Sequence, residues 1–194
     1  MPDVAPRILV HADESCLGNG MEPPNPGGNA ALVEVPAGDS LARWDFFECS
    51  PDTTNQKMAL AGAIGALEWV RRRWQGAEVV YVSDSEYLIK GMTAWVKDWQ
   101  ARGWKRKAGP IENLELWQKL VQAAAGRAIE WRWVRGHAGH PKNEYANALA
   151  MRAAERQERS NGLVPSEFDA WLARERARGA FPNYDPDREL HERV

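Results

Sequence analysis

Two short runs with strand-like character each stop at an aspartate: Arg7-Ile-Leu-Val-His-Ala-Asp13 and Glu78-Val-Val-Tyr-Val-Ser-Asp84. Strand ends at one edge of a sheet are where α/β folds gather functional groups. A single strand-end aspartate is most often a turn former or a helix cap, and Asp84 before Ser85 suits that role. Two such ends in one chain shift the weight toward a functional edge.

The remaining pattern supplies the rest of the sheet. A loop rich in turn formers, 18–28, precedes an apolar run at 30–35, and a turn at 36–39 leads to a third strand over 41–49. Three strands joined by turns predict an antiparallel meander. Thr53-Thr54-Asn55 then opens a helix with Leu60, Ala63, Ile64, Leu67 and Val70 at helical spacing, closed by Arg71-Arg72-Arg73, where cations suit the helix dipole. After the strand ending at Asp84 come two short helices, 85–92 and 93–101, around Gly91. A basic loop at 105–110, a helix at 111–125, a fifth strand at 128–134 and a last helix from about 143 to 159 follow. The expected fold is α/β: a mixed five-stranded sheet, three antiparallel strands then two more, flanked by helices. It occupies a domain at 1–159. Residues 160–194 read as a C-terminal extension. There Pro165-Ser166-Glu-Phe-Asp169 resembles a capping box, and Phe168, Trp171 and Leu172 line one face of a short helix. A loosely held tail is expected after it.

Composition narrows the class. Hydrophobic residues are 44% and charged residues 27% of 194, the balance of a soluble globular chain. No run approaches the roughly 18 apolar residues of a membrane span, and no export leader opens the sequence. Two cysteines, Cys16 and Cys49, are too few for a disulfide framework and point to a reducing, cytoplasmic setting. With 25 basic and 27 acidic residues the chain is not a uniformly basic nucleic-acid binder. A local patch remains open, because Lys90, Lys97, Arg102, Lys105, Arg106 and Lys107 lie among interleaved tryptophans. Trp95 and Trp99, four apart, read as core packing. Trp104, Lys105, Arg106 and Lys107 are the better nucleic-acid-binding candidates.

Several segments together carry a family resemblance. Asp13-Glu-Ser-Cys-Leu-Gly-Asn19 followed by Asn25-Pro-Gly-Gly28 is similar to the opening of type I ribonuclease H. So is Thr53-Thr-Asn-Gln-Lys-Met58 at a helix start, and Ser83-Asp-Ser-Glu-Tyr-Leu88 resembles the second aspartate segment. Trp95, Trp99 and Arg102-Gly-Trp-Lys105 resemble the helix and basic protrusion of the bacterial enzymes. Asn113 with Leu116-Trp117, and then Trp133-Val-Arg-Gly-His-Ala-Gly-His-Pro-Lys-Asn-Glu144, follow in order. The resemblance covers about residues 7–155. It implies a metal-dependent endonuclease that cuts the RNA strand of RNA–DNA hybrids, with Mg2+ as cofactor and Mn2+ as a substitute. It also implies a monomer with no obligate protein partner and no membrane.

Four carboxylates hold the metal in that family, and two are changed here. Asp13 and Asp84 stand at the first and third positions. Ala59 stands at the second, in place of a glutamate, and Asn147 at the fourth, in place of an aspartate. The resemblance therefore implies Asp13, Asp84 and Asn147 as metal ligands and His137 as a proton-transfer or product-release helper. Asn19, Thr54, Asn55 and Gln56 match positions that touch sugars and phosphates, although Thr53 to Asn55 read equally as a helix N-cap. Weakened activity is expected from the loss of two charges. Compensation could come from Glu22 or Glu144. Glu14, a glycine in the family, ranks lower because neighbours on a strand point to opposite faces. Together with Lys57 in place of the family's arginine and a longer loop before Pro26, it suggests natural divergence rather than engineering. A catalytically silent hybrid- or duplex-binding module is the alternative.

Overall fold

A computed structural model describes residues 6–106, 108–136 and 139–188. Six strands form one sheet: β1 (Arg7–Cys16), β2 (Gly27–Ala37), β3 (Ser40–Ser50), β4 (Glu78–Ser83), β5 (Ile129–Trp133) and β6 (Val164–Pro165). Their order is β5-β4-β1-β2-β3-β6. The pairs β1–β2 and β2–β3 are antiparallel, as the meander pattern requires, while β4 and β5 run parallel to β1. The sixth strand, absent from the sequence expectation, is two residues paired to Trp44 and Asp45 of β3. A proline-containing dipeptide carries no alternation signal, and it sits at an edge where proline is tolerated.

Helices cover both faces. On one lie α1 (Asn55–Arg73) and α4 (Leu114–Ala124), whose Leu60, Ala63, Leu67, Trp117 and Leu120 close over Ile8, Val10, Val33, Phe46 and Tyr81. On the other lie α5 (Pro141–Arg156) and α6 (Phe168–Ala177), which bury Tyr145, Leu149, Ala153, Phe168 and Leu172 against Ala30, Leu32 and Phe47. Burying each such Phe or Leu side chain contributes roughly 1.5–3 kcal/mol. Thr54 caps α1, its hydroxyl accepting from Lys57 N at 3.3 Å, and Arg71 to Arg73 close the last turn. Pro141 occupies the first turn of α5, two residues earlier than the periodicity suggested, because a proline there gives up no needed donor.

The two short helices expected around Gly91 are one continuous stretch. α2 (Glu86–Lys90) and α3 (Val96–Ala101) are joined by a π-helical turn at Gly91–Trp95. Trp117 lies beneath its first residue. The fully buried Trp117 ring presses on the Gly91 backbone so closely that a Cβ there would lie 1.9 Å from it. Trp95 meets Tyr87 edge-on at 5.8 Å and Trp99 meets Trp117 edge-on at 5.7 Å, while the two tryptophans lie tilted 5.9 Å apart, which bears out their reading as packing residues.

The segment after α5 packs on the sheet at least as far as Asp187. Phe168 and Leu172 are buried, with Trp171, Phe181 and Tyr184 packed beside them. The capping box does not form. Asp169 turns to Arg43 at 3.1 Å, and Ser166 N donates to Arg43 O. No described helix is long and apolar enough to cross a membrane.

Candidate functional site

The pairing of β1 with β4 ends at Ala12 opposite Ser83. Beyond that register β1 continues while β4 gives way to Asp84 and Ser85, so the sheet opens into a corner between the two parallel strands. Asp13, inside β1 just past its last pair with β4, and Asp84, just after the end of β4, face this corner, and Glu14 joins them. One carboxylate oxygen from each of the three lies within 4.8 Å of the others. Among the described residues this is the group of three or more acidic, histidine or cysteine side chains able to share one metal ion.

Glu14 is the finding that alternation alone misjudges. Asp13 points to the α5 face, where Asn143 Nδ2 donates to its Oδ2 at 3.2 Å. Glu14 leaves from the face that α1 covers, the face on which Ala59 is buried. Inside a sheet those directions would keep the two acids apart. At the corner no neighbouring strand separates them, and the longer glutamate side chain bends round to meet Asp13 and Asp84. Its main-chain N donates to Asp13 Oδ1 at 2.7 Å. A third carboxylate thus reaches the cluster from the face that α1 covers. The clue available in the sequence was an acid adjacent to Asp13 in a chain that lacks one at 59.

The electrostatics are those of a site built around a cation. Burial, then the charge of Asp84, pushes the Asp13 carboxyl up to about 8; the neighbouring Glu144 adds to the rise. Burial, then Asp13 and Asp84, pushes Glu14 to about 8 as well, against a hydrogen bond from Ser85. Without a counter-ion these groups hold protons at neutral pH. A hard dication with oxygen ligands removes the repulsion, so the donor set fits Mg2+-type ions.

The other expected residues fall around this corner. Asn147 lies on α5 one turn beyond Asn143, on the same helix face, and is partly buried. Asn143 is the α5 residue that touches Asp13, a role the sequence reading did not assign. Glu144 acts on Asp13 through its charge, whereas Glu22 is exposed in the loop after β1. His137 and Lys107 lie outside the described residues. The loop leading to His137 is fixed at its start: Trp133 Nε1 donates to Asp84 O at 3.0 Å, and Val134 N to Ser83 O at 3.1 Å. Gly136 then passes so near Asp84 that a Cβ would sit 2.2 Å from Oδ2.

Candidate nucleic-acid contacts line the approach. Asn19 Oδ1 accepts from Asn55 N at 3.2 Å, tying the β1–β2 loop to the exposed N-terminus of α1, where Thr54 and Gln56 also stand. Lys105 and Arg106 are exposed, while Lys90 and Arg102 pair along the helix with Glu86 and Asp98. Trp104 is half-buried and packs on the larger core cluster, so only part of its ring is available to a ligand.

Comparison with known proteins agrees with this geometry. The sequence profile of the RNase H family matches residues 5–155. A ribonuclease H of Methylococcus capsulatus is 39% identical over 153 residues, covering 78% of this chain and 92% of that protein. A ribonuclease H of Janthinobacterium sp. (strain Marseille) is 43% identical over 150 residues, covering 77% and 96%. The crystal structure of LC9-RNase H1, described as a type 1 RNase H with the type 2 active-site motif, is 49% identical. It superposes with a TM-score of 0.85 over 92% of this chain and 86% of that one. With its carboxylates gathered at the β1–β4 corner and this likeness over most of its length, the chain belongs to the ribonuclease H family.

Proposed function

We infer that this chain is a metal-dependent ribonuclease H, an endonuclease that hydrolyses the RNA strand of RNA–DNA hybrids. The observation that carries the reading is the meeting of Asp13, Glu14 and Asp84 at one corner of the sheet, within 4.8 Å. These three residues would hold the divalent ion, with Asn147 as a weak fourth donor through its neutral carbonyl and Mg2+ as the working cation. When bound, the ion lowers the pKa of coordinated water and neutralises charge on the leaving oxygen. Asp13 and Glu14 release protons as they become ligands. Asn143, which donates to Asp13 Oδ2, would help hold that carboxylate in place as a ligand. His137 assists proton transfer or product release.

Asn19, Thr54, Asn55 and Gln56 form the small polar surface that meets 2′-hydroxyls and phosphates. Lys105, Arg106 and Lys107, with Trp104, extend a salt-sensitive, sequence-independent grip along the backbone. The protein works as a cytoplasmic monomer, with residues 160–194 an extension of the 1–159 domain. A third carboxylate weighs against the silent binding module and against a site crippled by Ala59 and Asn147.

The test is cleavage of an end-labelled RNA–DNA hybrid, beside matched RNA, DNA and double-stranded RNA, in Mg2+ and then Mn2+. Internal cuts confined to the RNA of the hybrid, abolished by Asp13→Asn, are the expected result. Tight, salt-dependent binding without cutting in either metal would establish the binding module instead.

A further inference from the structure

The family match ends at residue 155, yet the chain beyond it is wired into the sheet on the face that carries Asn143. Two buried acids make the connection. Glu34 of β2, fully buried, accepts from Arg43 Nε at 2.9 Å through one oxygen; its other lies 2.6 Å from Lys142 Nζ, itself fully buried. Arg43 in turn is held from the extension by Asp187 at 2.5 Å, Pro186 O at 2.9 Å and Asp169 at 3.1 Å. Asp45 of β3 repeats the device. It accepts from Tyr145 OH at 2.5 Å, and from Ser166 Oγ at 2.6 Å and Glu167 N at 3.1 Å.

Lys142 and Tyr145, in and just past the first turn of α5, flank Asn143, the residue that donates to Asp13. Each buried acid therefore has one hand on that turn and, directly or through Arg43, one on the extension. We propose that the segment after α5 positions the active site: Asp187 and Ser166, acting through Glu34 and Asp45, hold the first turn of α5 so that Asn143 keeps the Asp13 carboxylate in its metal-binding orientation. These are positioning residues, remote from the reacting atoms. The inference rests on the reading of Asp13 as a metal ligand.

The experiment measures Mn2+ affinity by titration calorimetry without nucleic acid, and kcat and KM on a labelled hybrid, well below the melting temperature. Removing partners that orient a metal ligand typically lowers affinity or activity about 10–100-fold. Ser166→Ala combined with Asp187→Asn should weaken Mn2+ binding and kcat by about 10-fold, at the low end of that range, with KM for the hybrid changed less than about 2-fold. On an Asn143→Ala background the same pair should add less than about 2-fold, because the effect passes through Asn143. Asp187→Glu, which keeps the carboxylate, should recover most of the loss. If the double variant does not fold, each single change should show a smaller loss with the same non-additivity. A lowered melting temperature with unchanged Mn2+ affinity and kcat would overturn the proposal, as would full additivity with Asn143→Ala. A wild-type chain that binds no Mn2+ and cuts no hybrid would overturn the metal-site reading itself, a different result.

Discussion

Replacing Glu14 by glutamine produces two effects of opposite sign, and that combination separates a metal ligand from a structural acid. Burial and the charges of Asp13 and Asp84 raise the Glu14 carboxyl from 4.5 to about 8. A folded-state pKa above the unfolded value means that the folded chain binds the extra proton between those limits. Stability is therefore full below about 4.5 and declines as pH rises toward 8. Each pKa unit corresponds to about 1.4 kcal/mol, so ionising Glu14 costs the metal-free fold on the order of a few kcal/mol. Glutamine removes that cost. In a chain of this size 1 kcal/mol moves the melting temperature by about 2–4 °C. Metal-free Glu14→Gln should melt several degrees above the wild type at pH 9 and close to it at pH 4.5. With a dication present the sign reverses. The gross attraction of one carboxylate for a 2+ ion at 4 Å is about 8 kcal/mol at an effective dielectric of 20. Most of it is offset by solvation and by repulsion from the other two acids. Loss of an outer hydrogen-bond partner alone costs 10–100-fold, so loss of the ligand should cost at least about 100-fold in Mn2+ affinity and in hybrid cleavage. Melting curves in EDTA and in Mn2+ at both pH values, with single-turnover cleavage, decide the matter. A variant less stable than wild type at pH 9 without metal, or one that keeps its metal response and cleavage rate, would refute the assignment.

For the wild type, Asp13 and Glu14, both raised to about 8 by burial and by neighbouring acids, should make the metal-free fold lose stability from about pH 4 to pH 8. The stabilisation by saturating Mn2+ should grow over the same interval, which thermal melts across pH will show. Gly136→Ala places a Cβ 2.2 Å from Asp84 Oδ2, so one of the two must move; hybrid cleavage should fall at least about 10-fold with KM little changed. Gly91→Ala drives a methyl into the Trp117 ring at 1.9 Å; overpacking of this kind costs about 1–3 kcal/mol, read as a lower denaturant midpoint.

The scaffold was legible because its signals are local. Short strand-like runs located β1 and β4, a run of turn formers marked the loop at 18–28, and Thr54 capped α1 where its position before a helical pattern implied. Asp84 follows the end of β4 as expected, whereas β1 runs three residues past Asp13; the corner the two form follows from the parallel pairing of β1 with β4, which stops at Ala12 and Ser83. What stayed hidden depends on places where a periodic rule stops applying. Alternation assigns Glu14 and Asp13 to opposite faces, which is right for their strand and wrong for their carboxylates, since the neighbouring strand has ended. The need for glycine at 91 comes from Trp117, 26 residues away in sequence. Likewise Asp169 satisfied the capping pattern with Ser166 on paper, but its carboxylate accepts instead from the half-buried Arg43, 126 residues away. Asn143 gave no sign at all, because its meaning comes from the seating of α5 against β1.

The most direct measurement is a crystal of the chain soaked in Mn2+, with anomalous diffraction locating the metal. The expected result is a peak at the β1–β4 corner within about 2.0–2.3 Å of oxygens from Asp13, Glu14 and Asp84, metal–oxygen distances usual for such an ion. A peak held by Asp13 and Asp84 with Glu14 still turned to Ser85, or no peak at that corner under conditions in which the protein cuts the hybrid, would contradict it.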